Sequence, residues 1–212
     1  NVYDTLIERE PFTSPLTYIP GLATEWAQIE PTIWELSLRD DVTMHDGTVM
    51  DAEDVAYSLN RIFAHEQADF MSSWGTFFYN FDRVEVVDPL TVRIHTLRPE
   101  PLFEALISLR TAGIVSKEYY EENGLEYAQR FPVGSGPYRV TEFVPGERAE
   151  LSRFDAFWGE PAPFDTVNFQ LVEEVASRVA GLANGEFDLI TNIPPDQAEV
   201  LAQPGLEQRG IT

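Results

Sequence analysis

Residues 33–39, Ile33-Trp34-Glu35-Leu36-Ser37-Leu38-Arg39, alternate apolar and polar side chains, the period of a half-buried strand. Gly47 then marks a turn, and the pattern changes. From Asp51 onward, Val55, Leu59, Ile62 and Phe63 recur at helical spacing. Asp51 is placed to cap that helix, and Glu53 and Asp54 suit the positive end of its dipole. A strand, a tight turn and a capped helix in immediate succession predict a mixed α/β fold.

The same alternation extends outward. Residues 83–87 and 91–96 are β-rich runs around Asp88-Pro89-Leu90, a hairpin signal. Residues 102–109 are predicted helical, entered through Pro99 and Pro101, and 114–115 form a short buried strand. Ser116 caps a helix over 117–122 that Gly124 closes. Beyond a seam at 125–133, residues 137–144 and 149–154 pair across Pro145-Gly146, and 155–165 read as a loop. A strand at 167–171, a helix at 173–184 closed by Gly185 and a strand at 187–190 suggest a parallel crossover unit, with a last helix over 196–202.

Composition narrows the functional classes. At 212 residues, 43% of them hydrophobic, the chain is able to bury a real core. Against 14 basic residues stand 36 acidic ones, a net charge of −22 that repels nucleic acid and anionic lipid. There is no cysteine, which excludes thiol catalysis, disulfide scaffolds and cysteine-based metal or iron–sulfur sites. No run of 18 apolar residues is long enough to span a membrane as a helix. The opening Asn1-Val2-Tyr3-Asp4 has no signal-peptide character and reads as the inside of a domain.

No catalytic set emerges, and no cofactor is expected. His45-Asp46 with Glu53 and Asp54 is the nearest approach to a metal cluster, yet an Asp before Gly47 is equally a turn residue. Ser135 lies in Gly134-Ser135-Gly136, which lacks the G-x-S-x-G spacing of a nucleophile elbow. The same glycines fail as a dinucleotide loop, because Arg139 stands where the third Gly belongs, and the chain's one Lys, Lys117, is remote from any phosphate loop. Trp74, Phe77, Phe78 and Tyr79 form an aromatic cluster that either stacks on a ligand or plugs a core. Arg110, at the edge of an apolar helix, either clamps a ligand carboxylate or pairs with one of the many acids.

Seven segments, taken together, resemble the peptide/nickel class of extracytoplasmic solute-binding proteins of ABC importers, family 5. They are Asn1-Val2-Tyr3-Asp4-Thr5-Leu6-Ile7, Gly21-Leu22-Ala23-Thr24-Glu25-Trp26 and the run from Trp34 to Thr48 with its Leu-Arg and His-Asp-Gly-Thr. Asp51-Ala52-Glu53-Asp54-Val55-Ala56-Tyr57-Ser58-Leu59, Pro132-Val133-Gly134-Ser135-Gly136-Pro137-Tyr138, Asp155-Ala156-Phe157-Trp158-Gly159 and Leu182-Ala183-Asn184-Gly185-Glu186-Phe187-Asp188 complete the set. Asp41, Met44 and Asp155 depart from the usual Gly, aromatic and Asn.

The resemblance implies part of a periplasmic-binding-protein-like lobe of type II, peptide-binding class. Residues 1–130 would be the extra α/β subdomain with its lead-in, residues 131–212 part of the core α/β subdomain, and the second lobe is absent. It implies a non-catalytic substrate-capture role outside the cytoplasm, a peptide or other small-molecule ligand, permease subunits as partners, no nucleic acid and a monomeric state. The cleft wall implied for this piece involves Trp74, Phe78, Tyr79, Arg110 and Thr111, with no metal. A ligand-sensing domain of a regulator and a hydrolase using Ser135 or His45 are the competing readings.

Overall fold

A computed structural model describes residues 2–10, 13–63 and 75–195, without the side chains of 75 and 76. Its organising layer is an antiparallel sheet of β3 (Ala23–Glu30), β4 (Ile33–Leu38), β5 (Phe81–Asp88) and β6 (Thr91–Thr96), ordered β3-β4-β6-β5. A shorter antiparallel pair, β1 (Ile7–Arg9) and β2 (Tyr18–Pro20), precedes it. The expected hairpin between β5 and β6 forms, its turn fastened by the amide of Leu90 donating to Asp88 Oδ1 at 2.9 Å.

Each face of the sheet follows from alternation. β6 buries Val92, Ile94 and Thr96. Arg93 and His95 face the other way, where Arg93 pairs with Glu35 directly opposite on β4 and His95 bonds Glu85 on β5, each at 2.8 Å. On the apolar side α1 (Ala52–Phe63) packs against β5 and β6 and buries Val55, Leu59, Ile62 and Phe63. Its cap is reciprocal. Asp51 Oδ1 accepts from the amides of Glu53 (2.8 Å) and Asp54 (3.3 Å), and Asp54 Oδ2 accepts from the amide of Asp51 (3.1 Å).

The helices α2 (Phe103–Ile107), α3 (Lys117–Asn123) and α4 (Leu125–Arg130) follow. Ser116 caps α3 and Gly124 closes it with a φ of +78°. The same glycine starts α4, so the expected seam at 125–133 is largely a helix whose Ala128 is buried. Residues 114–115 are buried as expected but join no sheet. The amide of Ile114 donates to the carbonyl of Asp4 (2.9 Å), and that of Val115 to Ser58 Oγ (2.9 Å).

Further on, β7 (Tyr138–Val144), β8 (Arg148–Arg153) and β9 (Thr166–Gln170) make a three-stranded sheet in that order. α5 (Val175–Asn184) ends at Gly185 in the left-handed region. The chain divides into two compact units, 1–143 with 150–167, and 144–149 with 168–212. In the second, Arg178 donates to the carbonyls of Val172, Glu173 and Asn192. The strand expected at 187–190 is not formed. The amides of Glu186 and Phe187 turn back to the carbonyl of Gly181, and Leu189 is 77% exposed. A strand exists only through a ladder partner, and among the described residues none lies beside this segment. The helix expected at 196–202 lies outside the described residues.

Replacing Asp51 by Ala removes a cap worth about 1 kcal/mol. The melting temperature should fall by roughly 2–4 °C, and Asp51→Asn should retain most of it.

Candidate functional site

The residues that most resemble catalytic groups are consumed by the fold. Asp4 and Ser135 are 8% and 0% exposed, and Ser135 Oγ donates to Asp4 Oδ2 at 2.9 Å. Trp158 Nε1 donates to the same oxygen at 3.0 Å, while the guanidinium of Arg39 lies 4.4 Å over the Trp158 ring. A serine enclosed in this way keeps its hydroxyl on a buried carboxylate and exposes no surface to a substrate. Gly134 is required by crowding. A Cβ there would meet the carbonyl oxygen of Val2 and the ring of Tyr3 at 2.4 and 2.5 Å.

His45 is fastened to the same loop. Its Nε2 bonds the carbonyl of Gly136 at 2.8 Å, and the amide of Gly134 donates to Nδ1 at 3.4 Å. One nitrogen must donate and the other accept, which defines a neutral imidazole. Its ring meets Phe154 edge-on at 4.9 Å. Burial pushes its pKa below the usual value, partly opposed by the Gly136 bond and by Asp4. Asp46 is likewise structural. Oδ1 accepts from the amide and hydroxyl of Thr48, and Oδ2 from Ser116 Oγ. Among the described residues no group of three His, Asp or Glu is placed to hold a metal.

The residues expected at a cleft wall fare differently. Trp74 lies outside the described residues. Phe78, in the 3₁₀ turn Gly75–Phe78, is fully buried against Phe63 and Phe81 with centroids 5.8 and 5.4 Å away. Its ring therefore belongs to an aromatic column continued by Phe103 and Trp34, and it meets no solvent. Tyr79, next in sequence, is 67% exposed. Arg110 and Thr111 begin a second 3₁₀ turn, Arg110–Ala112, and both turns pack against α1. The side chain of Arg110 is exposed and forms no ion pair or hydrogen bond with a described residue. The buried hydroxyl of Thr111 also has no partner.

Position there depends on residues the sequence did not single out. Arg9, from β1, donates Nε to Ser108 Oγ (3.2 Å) and a terminal nitrogen to the carbonyl of Ala105 (3.3 Å), at the C-terminal end of α2. Trp26 Nε1 donates to Glu104 at 2.8 Å. These contacts cross 78 to 99 residues, so no local pattern carries them.

The family model of bacterial extracellular solute-binding proteins, family 5, matches residues 17–210. The dipeptide-binding protein of Escherichia coli K12 is 28% identical over 208 residues, covering 89% of this chain and 38% of that protein. The glutathione-binding protein GsiB of the same organism is 26% identical over 189 residues, covering 84% and 36%. Among solved structures, a nickel ABC transporter protein from Bacillus halodurans superposes with a TM-score of 0.79 at 29% identity, over 96% of this chain and 40% of that one.

The chain belongs to family 5 of the bacterial extracellular solute-binding proteins. Its mixed α/β architecture, with several separate sheets, is the one that family's solved structures show. It spans about two fifths of the length of the curated relatives it matches.

Two outcomes follow from the knot of hydrogen bonds that joins Asp4, Ser135 and Trp158 and, through Gly134 and Gly136, His45. Because the His45 pKa is lowered on folding, its contribution to stability is present above the unfolded value of 6.5 and is lost as pH falls through 6.5 toward the folded value. Unfolding titrations should show this acid loss reduced in His45→Gln, and an unchanged pH profile would contradict the neutral, buried assignment. Trp158→Phe keeps a ring under Arg39 but deprives buried Asp4 of a donor. Stability measured in denaturant should drop by about 1–3 kcal/mol.

Proposed function

We propose that this chain forms part of the first lobe of an extracytoplasmic substrate-capture protein of an ABC importer. Residues 1–130 supply the additional α/β subdomain and its lead-in, and residues 131–212 part of the core subdomain. The ligand is a peptide or a related small solute. The protein makes and breaks no bonds; closure of two lobes around the ligand presents it to membrane permease subunits, and the monomer is the working form. Closure of this kind is driven by the ligand's higher affinity for the closed state.

One observation carries the reading. In a chain with 36 acidic residues, Arg110 has no acidic partner among the described residues, and the hydroxyl of its neighbour Thr111 is buried without a bond. An exposed guanidinium beside an unmatched hydroxyl suits a carboxylate-bearing ligand. Tyr79 adds an exposed aromatic face for the ligand's body. The net charge of −22 disfavours strongly anionic solutes and suits zwitterions such as peptides. The names of the dipeptide- and glutathione-binding relatives support the same class of ligand.

Gentle purification of the full-length parent protein followed by native mass spectrometry tests this. A co-purified small molecule is expected. Arg110→Ala should weaken its retention by roughly 10- to 100-fold, the loss of a charged hydrogen bond. A ligand kept equally well by Arg110→Ala and Tyr79→Ala would place recognition elsewhere.

A further inference from the structure

Tyr79 and Arg110 lie on different segments, and a buried polar clamp ties the residue after Tyr79 to the stretch of chain that leads to Arg110. Asn80 is only 6% exposed, although Tyr79 beside it is 67% exposed. Its Nδ2 donates to the carbonyl of Arg98 (3.0 Å) and to Glu100 Oε2 (2.9 Å). Its Oδ1 accepts from the amide of Arg98 (3.1 Å), and its carbonyl accepts from the amide of Leu97 (2.8 Å). Glu100, 8% exposed, uses its other oxygen to accept from the amide of Leu102 (3.0 Å). The side-chain amide of Asn80 is thus bonded through both its nitrogen and its oxygen, and Glu100 accepts at both oxygens.

The segment gripped in this way leads without interruption into α2 and then to Arg110. At the far end of α2, Arg9 holds Ser108 and Ala105. One stretch of chain, 97–112, is therefore pinned at its start beside Tyr79 and near its end beside Arg110. Aliphatic packing would give the Tyr79 turn no such directional tie. Hydrogen bonds fix orientation as well as distance, and a buried pair left half-made is costly.

We infer that Asn80 is a positioning residue of the ligand wall: through Arg98 and Glu100 it sets where Tyr79 stands relative to Arg110. The inference rests on the reading of Tyr79 and Arg110 as ligand contacts. Asn80 itself touches no ligand, so its effect reaches binding only through placement. Asn80→Asp keeps the shape and the acceptor for the Arg98 amide. It turns the donor into an oxygen facing both the Arg98 carbonyl and the Glu100 carboxylate. Glu100→Gln in the same chain restores a donor between the two side chains with reversed polarity.

The test uses the full-length parent protein and two readouts. Hydrogen exchange at the Arg98 amide, whose bond is to the Asn80 side chain, should accelerate at least roughly tenfold in Asn80→Ala. Calorimetric titration with the dipeptides Ala-Ala and Met-Leu should show affinity falling roughly tenfold in Asn80→Asp and partly recovering in Asn80→Asp/Glu100→Gln. Val84→Ala, a core truncation in β5, serves as the stability control; it should lower the melting temperature and leave dipeptide affinity unchanged. Unchanged Arg98 exchange in Asn80→Ala overturns the clamp. Accelerated exchange with dipeptide affinity intact overturns the positioning role. If the unaltered protein binds neither dipeptide while Arg98 exchange responds as expected, the peptide reading of the site fails, and the positioning role with it, while the clamp stands.

Discussion

The carboxylate of Asp4 has to be solvated by protein, because almost none of the residue reaches water. Ser135 and Trp158 supply that solvation from 131 and 154 residues away. The carbonyl of Asp4 meanwhile accepts from Ile114, so one residue near the start of the chain fixes three distant segments. The neighbouring bonds extend this closure. Gly136 donates to the carbonyl of Val2, His45 reaches Gly134 and Gly136, and Asp46 reaches the Ser116 cap of α3. A half-satisfied arrangement here would leave a buried carboxylate short of donors, which is costly.

This closure divides the polar side chains into two populations. Ser135, His45 and Asp46 look reactive in isolation, yet each spends hydrogen bonds on backbone or on another side chain of the fold. Arg110 and Thr111 differ: among the described residues the Arg110 guanidinium has no partner, and the Thr111 hydroxyl is buried without one. A binding protein needs such a partition. Its ligand must find donors not already taken, and these must stand on a scaffold that does not rearrange to satisfy them internally. The aromatic column of Phe78, Phe81, Phe103 and Trp34 supplies that rigidity beneath the exposed Tyr79.

The motifs that mark the family are, in large part, the knot. Asp4, His45, Ser135 and Trp158 all come from the segments by which the chain resembles its relatives. That explains why membership was legible from the sequence, while Tyr79 and Arg110 could be named only as candidates with a structural alternative beside each. The motif residues answer to the geometry of a buried network, whereas Arg110 and Tyr79 stand in stretches whose local pattern is plain. The aromatic cluster shows the same limit. From composition Phe78 and Tyr79 were equivalent, and only the direction of one short 3₁₀ turn sent one ring inward and the other out.

What the sequence determined by itself was local: the Asp51 and Ser116 caps, the glycine closures at 124 and 185, and the hairpin across Asp88-Pro89-Leu90. These succeed because a cap or a tight turn is satisfied by atoms a few residues away, so its signal is written in adjacent letters. Tertiary structure alone decided that Gly124 opens a second helix, and that 187–190 folds back on Gly181 in place of pairing as a strand. It also decided that the Arg110 side chain meets no partner among the described residues. Each of those outcomes depends on whether a partner arrives from a distant part of the chain, and hydrogen-bond satisfaction across such distances leaves no periodic trace in the order of residues.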